Sequence, residues 1–168
     1  MTDDPERFAE LVREHQAMVF SMACRYLRNR ALAEEIAQDV FLQLYRKLPT
    51  LESSDHVLHW LRWVTAHRLI DHSRYEQRRP QSPLDDAPEP AVPANEGDPL
   101  LADMLRQLVA ELPENARLVM ILRYQEDLEP AEISKVLDMP VNTVKSHLRR
   151  SLALLRDKLS RSVGEALA

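Results

Sequence analysis

The 168-residue chain holds one cysteine, two glycines and only 5% aromatic residues. A lone thiol excludes a disulfide framework within the chain, and Cys24, set among apolar neighbours, reads as a small buried residue rather than a redox centre. Scarce glycines and aromatics disfavour sandwiches and barrels and favour helices. No apolar run reaches the length of a membrane span. The start, MTDDPERFAEL, is acidic and lacks the basic and apolar regions of a secretory signal, so a cytoplasmic location is expected. Also missing are HExxH, paired CxxC and glycine-rich phosphate loops. His67 and Asp71 are one turn apart, and His56, His59, His72 and Asp55 lie nearby, but they read as polar helix-face residues. No metal, cofactor or catalytic role is expected.

The 45% of apolar residues that are present recur at helical spacing. Phe8, Leu11, Val12, Met18, Val19, Met22 and Ala23 mark a first amphipathic helix, started by Asp4 and Pro5. Ile36, Val40, Phe41, Leu44 and Leu48 mark a second, from about Ala31, ended by Pro49. Leu58, Leu61, Val64, Leu69 and Ile70 mark a third, from about Val57 to Arg78. Residues 80–99 break the pattern. They are rich in proline, lack Lys and Arg, and carry Asp85, Asp86, Glu89, Glu96 and Asp98. Such a segment reads as a flexible linker, and at about 3.1 Å per residue it reaches about 60 Å. A second helical block follows from Leu100, with Leu101, Met104, Leu105, Leu108 and Val109, then Leu118, Val119, Ile121 and Leu122 beyond Pro113. The expected fold is all-α: two small helical domains, 1–79 and 100–168, joined by an acidic, proline-rich linker, 80–99.

The C-terminal domain ends in a helix-turn-helix. Pro130 to Leu137 forms its first helix, with Ile133, Val136 and Leu137 on one face, and Asp138-Met139-Pro140 forms the turn. A second helix starts near Asn142 or Thr143, both good caps, with Val144, Leu148, Leu152, Leu155 and Leu159 as its apolar stripe. The net charge of −5 argues against a nucleic-acid partner, but its distribution reverses that. Val141 to Ser162 carries six Lys or Arg against Asp157, and His56 to Arg79 carries five Arg against Asp71 and Glu76. Two basic segments in an acidic chain suggest two phosphate-facing surfaces.

Three blocks in this order resemble the extracytoplasmic-function sigma factors, the minimal sigma-seventy-type initiation subunits of bacterial RNA polymerase. AEEIAQDVFLQLYRKL, Ala33 to Leu48, resembles the helix that docks on the largest polymerase subunit, which implies a docking role for Glu35, Gln38, Asp39 and Phe41. HWLRWVTAHRLIDHSRYEQRR, His59 to Arg79, resembles the helix that holds the −10 element. There Arg62, Arg68, Arg74, Arg78 and Arg79 can meet phosphates, Trp63 can stack or pack, and His67 stands where many relatives carry Asn. Trp60 resembles the family tryptophan that packs the domain. The loop before this helix resembles the one that captures a base flipped from the −10 duplex, with Glu52, Ser53, Ser54 and Asp55 as candidates; capping is the alternative role for Ser54 and Asp55. Leu112 to Leu159 resembles the domain that reads the −35 element, through Thr143, Lys145, Ser146, His147, Arg149 and Arg150. Arg156, Lys158 and Arg161 equally suit a basic solvated helix end. The resemblance implies a non-enzymatic initiation factor. Its partners would be core RNA polymerase, promoter DNA and an anti-sigma factor, with no membrane insertion. A helix-turn-helix regulator acting without polymerase is the alternative, but it leaves the acidic second helix and basic third helix unexplained.

In this family the linker threads through the polymerase near the RNA exit path. A negative segment suits a channel built for nucleic acid. Replacing its five acids with Ser or Asn is expected to change initiation or promoter escape in transcription assays; an unchanged profile leaves a plain tether.

Overall fold

A computed structural model describes residues 5–78 and 99–167. Arg79 and the linker up to Asp98 lie outside the described residues. Those described form two compact units, divided between Pro90 and Ala91. All regular elements among them are helical.

In the first unit, α1 (Pro5–Leu27), α2 (Arg30–Lys47) and α3 (Ser54–Arg78) pack around one core. Two residues join α1 to α2. Arg28 turns the chain with a left-handed φ of 53°, and the Asn29 side chain caps α2 by accepting from the Leu32 amide at 3.1 Å. The apolar periodicity places the start of α2 at about Ala31; the cap sets it at Arg30. Pro49 does not end the helix abruptly but lies in a 3-10 turn, Leu48–Thr50. Val19, Met22, Ala33, Val40, Leu44, Val57, Leu61 and Leu69 are fully buried. Tyr26 joins them, its hydroxyl 2.7 Å from Ser73 Oγ, tying α1 to α3. Cys24 is buried, and so is His15, which the helical pattern did not mark as core. Trp60 is only half-buried.

The second unit contains α4 (Pro99–Ala110), α5 (Glu114–Tyr124), α6 (Pro130–Leu137) and α7 (Val141–Leu167). Pro99, read as the last linker residue, is the first of α4. Leu112, Ala116, Met120 and Leu155 form one core cluster, against which Leu108, Val109, Leu148 and Leu152 pack. The Arg117 guanidinium holds the α4–α5 turn by donating to the Leu112 carbonyl at 2.9 Å. Lys158 of α7 meets Glu111 at 3.1 Å beside the same turn. Arg123 spans the next connection, donating to the Leu128 carbonyl at 3.2 Å.

The turn between α6 and α7 departs from the sequence reading at one point. Pro140 is the last residue before α7, and its carbonyl accepts from the Val144 amide at 3.1 Å. Asn142 and Thr143 therefore lie inside the first turn of α7 instead of capping it. Asp138 closes α6 at φ 52°, ψ 48°, the left-handed conformation that side chains other than glycine adopt at a cost. A β-branched residue fits that conformation worst. Asp138→Val is expected to be less stable than Asp138→Gly by about 1–2 kcal/mol in chemical denaturation of the C-terminal unit. Equal stability would remove the turn's conformational demand.

Candidate functional site

Three surfaces carry the candidate residues. On α2, one side is spent on the core: Ala33, Ile36, Val40 and Leu44 are buried. Glu35, Gln38 and Asp39 are exposed on the other side. Leu42 completes that stripe at i, i+3, i+4, i+7 spacing and is 58% exposed. Phe41 does not belong to it. Half-buried, Phe41 lines a groove of about 750 Å³ between α1 and α2, with Phe8, Val12, Phe20, Gln38 and Leu42 among the other walls. Glu35 and Asp39 do not line this groove. At its edges Phe8 meets Tyr45 edge-on at 5.2 Å, and Arg30 lies over the Phe20 ring at 5.9 Å while pairing with Glu34. Polar and apolar contacts are thus offered side by side. Phe8 and Val12 were expected only as part of the apolar stripe of α1, and Leu42, Tyr45 and Phe20 were not singled out at all. The signal was present: α1 and α2 have more apolar residues than one buried face can hold.

The second surface is the loop before α3 and the helix itself. Leu51 is buried, and Arg7 of α1 donates to its carbonyl at 3.3 Å, holding the loop against the core. Ser53, not Ser54 or Asp55, is the cap, because its hydroxyl accepts from the His56 amide at 3.1 Å and its carbonyl from the Val57 amide at 3.0 Å. Glu52, Ser54 and Asp55 stand exposed around it. Along α3, Trp63, His67, Arg74 and Arg78 share a stripe about 60° wide by helical geometry. Trp63 and His67 form one unit. Their rings stack at 4.2 Å with a 31° tilt, and His67 Nδ1 lies 2.7 Å from the Trp63 carbonyl. A carbonyl only accepts, so that nitrogen carries a proton. Arg74 and Arg78 are exposed, and Arg62 is half-buried to one side of the stripe. Arg68 turns away from this stripe. Its Nη2 meets Asp39 on α2 at 3.3 Å. Arg79 lies outside the described residues. Among the described residues, no three His, Cys, Asp or Glu side chains gather as a metal site, and no helix is long and apolar enough to cross a membrane.

The third surface is the exposed side of α7. Val144, Ser151 and Leu155 are buried, which turns the helix about its axis to one setting. Opposite them lie Asn142, Ser146, Arg149 and Arg150, flanked by Lys145 on one side and by Thr143 and His147 on the other. Asn142, read from sequence as a cap, is exposed near the middle of this face, where its amide can both donate and accept. The preceding helix α6 is held at its start by a capping box, in which Glu132 accepts from the Glu129 amide at 2.8 Å, and along its length by burial of Ile133, Val136 and Leu137. Arg161 pairs with Asp157 and Lys158 with Glu111, so these two basic groups have structural partners.

Partial burial, with a smaller effect from Arg150, pushes the His147 imidazole below its usual 6.5. At neutral pH the ring is therefore uncharged. Below pH 6.5 the unfolded chain takes up the proton before the folded unit does, so this group's contribution to stability is present above 6.5 and is lost as pH falls. The melting temperature of the C-terminal unit is expected to decline more steeply between pH 7 and 5 in the parent than in His147→Gln. Parallel profiles would exclude this residue.

Two family models match, in order. Residues 11–79 match Sigma-70 region 2 and residues 102–155 match Sigma-70, region 4. The chain is similar to the ECF RNA polymerase sigma factor SigW of Bacillus subtilis, 27% identical over 93% of this chain and 90% of that relative. Its fold is similar to that of the sigma factor RpoE from Bartonella quintana, solved in complex with the anti-sigma factor NepR. That match has a TM-score of 0.76, 18% identity, and coverage of 92% of this chain and 98% of that one. CnrH in complex with the cytosolic domain of CnrY matches with a TM-score of 0.66 and 18% identity, over 94% of this chain and 91% of that one.

Proposed function

Because this chain belongs to the extracytoplasmic-function sigma factors of the sigma-70 family, transcription initiation factors that direct RNA polymerase, we propose how its residues divide that work. The α2 stripe of Glu35, Gln38 and Asp39, together with Phe41 and Leu42 at the adjoining groove, docks on core polymerase. Exposed acids beside an apolar patch support this assignment, since the acids steer the approach and the apolar groups gain by leaving water. Glu52, Ser53, Ser54 and Asp55 edge the pocket for a flipped −10 base. In that role Ser53 works mainly by capping, which holds the exposed residues beside it. Trp63 and His67 face the melted strand, and Arg62, Arg74, Arg78 and Arg79 neutralise its phosphates. Residues 1–79 carry these tasks, 80–99 tether, and 100–168 read the −35 element.

On α7, Asn142, Ser146, Arg149 and Arg150 read base edges in the major groove, while Thr143, Lys145 and His147 lie toward its walls. A helix-turn-helix presents its second helix in this way. The chain has no chemistry of its own, as bond formation belongs to the polymerase. It works in the cytoplasm, where polymerase and promoter are. An anti-sigma factor holds it inactive, a reading supported by the two similar structures, one solved with an anti-sigma factor and the other with the cytosolic domain of a partner. A helix-turn-helix regulator without polymerase docking is not favoured, because region 2 is matched as well as region 4. The observation that carries the proposal is that these two matches fall, one each, in the two compact units.

The test is run-off transcription with core polymerase on a genomic promoter library. Failure to select start sites, with any masking subunit removed, ends this reading. For α7, Asn142→Ala is expected to cost about 1–3 kcal/mol on the preferred −35 element and to relax preference at one base pair, with the salt dependence unchanged. Lys145→Ala is expected to weaken all sequences alike and to flatten the log–log salt slope by about 0.9. An Asn142 variant that keeps its base preference leaves that residue out of the reading set.

A further inference from the structure

Arg68 sits in the basic segment and was expected at a phosphate, yet its guanidinium is committed to α2. Nη2 lies 3.3 Å from Asp39 Oδ2. The Gln43 amide, oriented as the hydrogen-bond network requires, accepts from Arg68 Nε at 2.8 Å and Nη2 at 2.7 Å. Asp39 and Gln43 are i and i+4, one turn apart on α2, so a single planar fork from α3 spans both. The Nε–Nη2 edge, with which an arginine can grip a phosphate in two parallel bonds, is the edge used here. Both charged side chains are partly open to water, 41% for Arg68 and 51% for Asp39, which leaves the carboxylate able to meet a partner while it is held.

We infer that Arg68 and Gln43 are positioning residues for Asp39, together forming a brace through which α3 holds the polymerase-docking carboxylate in place. The inference rests on the assignment of Asp39 to docking. An unbraced aspartate must give up rotamer freedom when it docks; a braced one has already done so. The brace also joins the helix that meets polymerase to the helix that meets DNA, so docking one fixes the base of the other.

Full-length variants can be measured for affinity to core polymerase, and the resulting holoenzymes for binding a single-stranded −10 oligonucleotide across a salt series. Arg68→Gln and Gln43→Leu are each expected to weaken core binding by about threefold to fivefold, the range a partly exposed ion pair supplies. Gln43→Glu, which still accepts from the guanidinium, is expected to bind core as the parent does. In an Asp39→Asn background, Arg68→Gln is expected to add little, because both act on one contact; a merely structural loss would add in full. The oligonucleotide salt slope is expected to stay unchanged. Arg68→Gln that binds core normally and flattens the slope by about 0.7 makes Arg68 a phosphate contact and overturns the brace. Asp39→Asn that binds core normally removes the docking assignment instead. Asp39→Asn that weakens binding, with Arg68→Gln and Gln43→Leu both normal, overturns the brace alone. Should Arg68→Gln melt early, the exchange of Gln43 for Leu or Glu carries the test, because the first removes the acceptor and the second keeps it.

Discussion

A short helix in a small domain survives by burying one side against its neighbours, and this requirement governs the rest of the molecule. Most of a protein helix's stability comes from packing its apolar face against the rest of the fold. Burial of Ala33, Ile36, Val40 and Leu44 makes α2 stable and at the same time decides that Glu35, Gln38, Asp39 and Leu42 look outward. On α7 the anchors are Val144, Ser151 and Leu155, and the face they leave exposed is the one with Asn142, Ser146, Arg149 and Arg150. The surfaces proposed to dock and to read DNA are therefore the reverse sides of the cores. A change of one position in either apolar stripe would rotate each surface by about 100° and scatter its residues.

Local polar contacts then refine what packing leaves exposed. Ser53 takes the capping role at the start of α3, which lets Ser54 and Asp55 stay exposed beside it. Trp63 and His67 stack, so the stripe of α3 proposed to face the melted strand begins with a rigid aromatic pair instead of two independent side chains. Arg68, which lies off that stripe, is held to α2 by Asp39 and Gln43. The contacts of Ser53 and Arg68 take residues that could have met a ligand and give them supporting tasks, while the stack fixes the pose of Trp63 and His67. Partly exposed polar contacts contribute little to global stability. Their effect lies in which atoms are offered to a partner and in what orientation.

Much of this could be read from the chain alone. The periodic apolar residues marked every described helix, and α5, α6 and the end of α3 fall where the pattern put them. Family resemblance supplied the order of the blocks, and both region models match where the basic and acidic segments lie. Less legible were the helix starts. Asn142 and Thr143 are good caps by residue type, yet α7 already begins at Val141, ahead of both, because the Pro140 carbonyl takes the first bond. Residue type alone does not say which of several adjacent candidates the chain geometry will use.

What the sequence determined by itself was periodicity and charge: which segments are helices, which side of each is apolar, and where positive and negative groups concentrate. Those are local properties, and local rules suffice for them. Only the tertiary structure decided that Phe41 belongs to a groove with α1, that Leu42 stands in the acidic stripe as exposed surface, and that Arg68 answers to Asp39 and Gln43. These facts depend on how one helix rotates and approaches another, and that rotation is set by side-chain packing between segments distant in the chain.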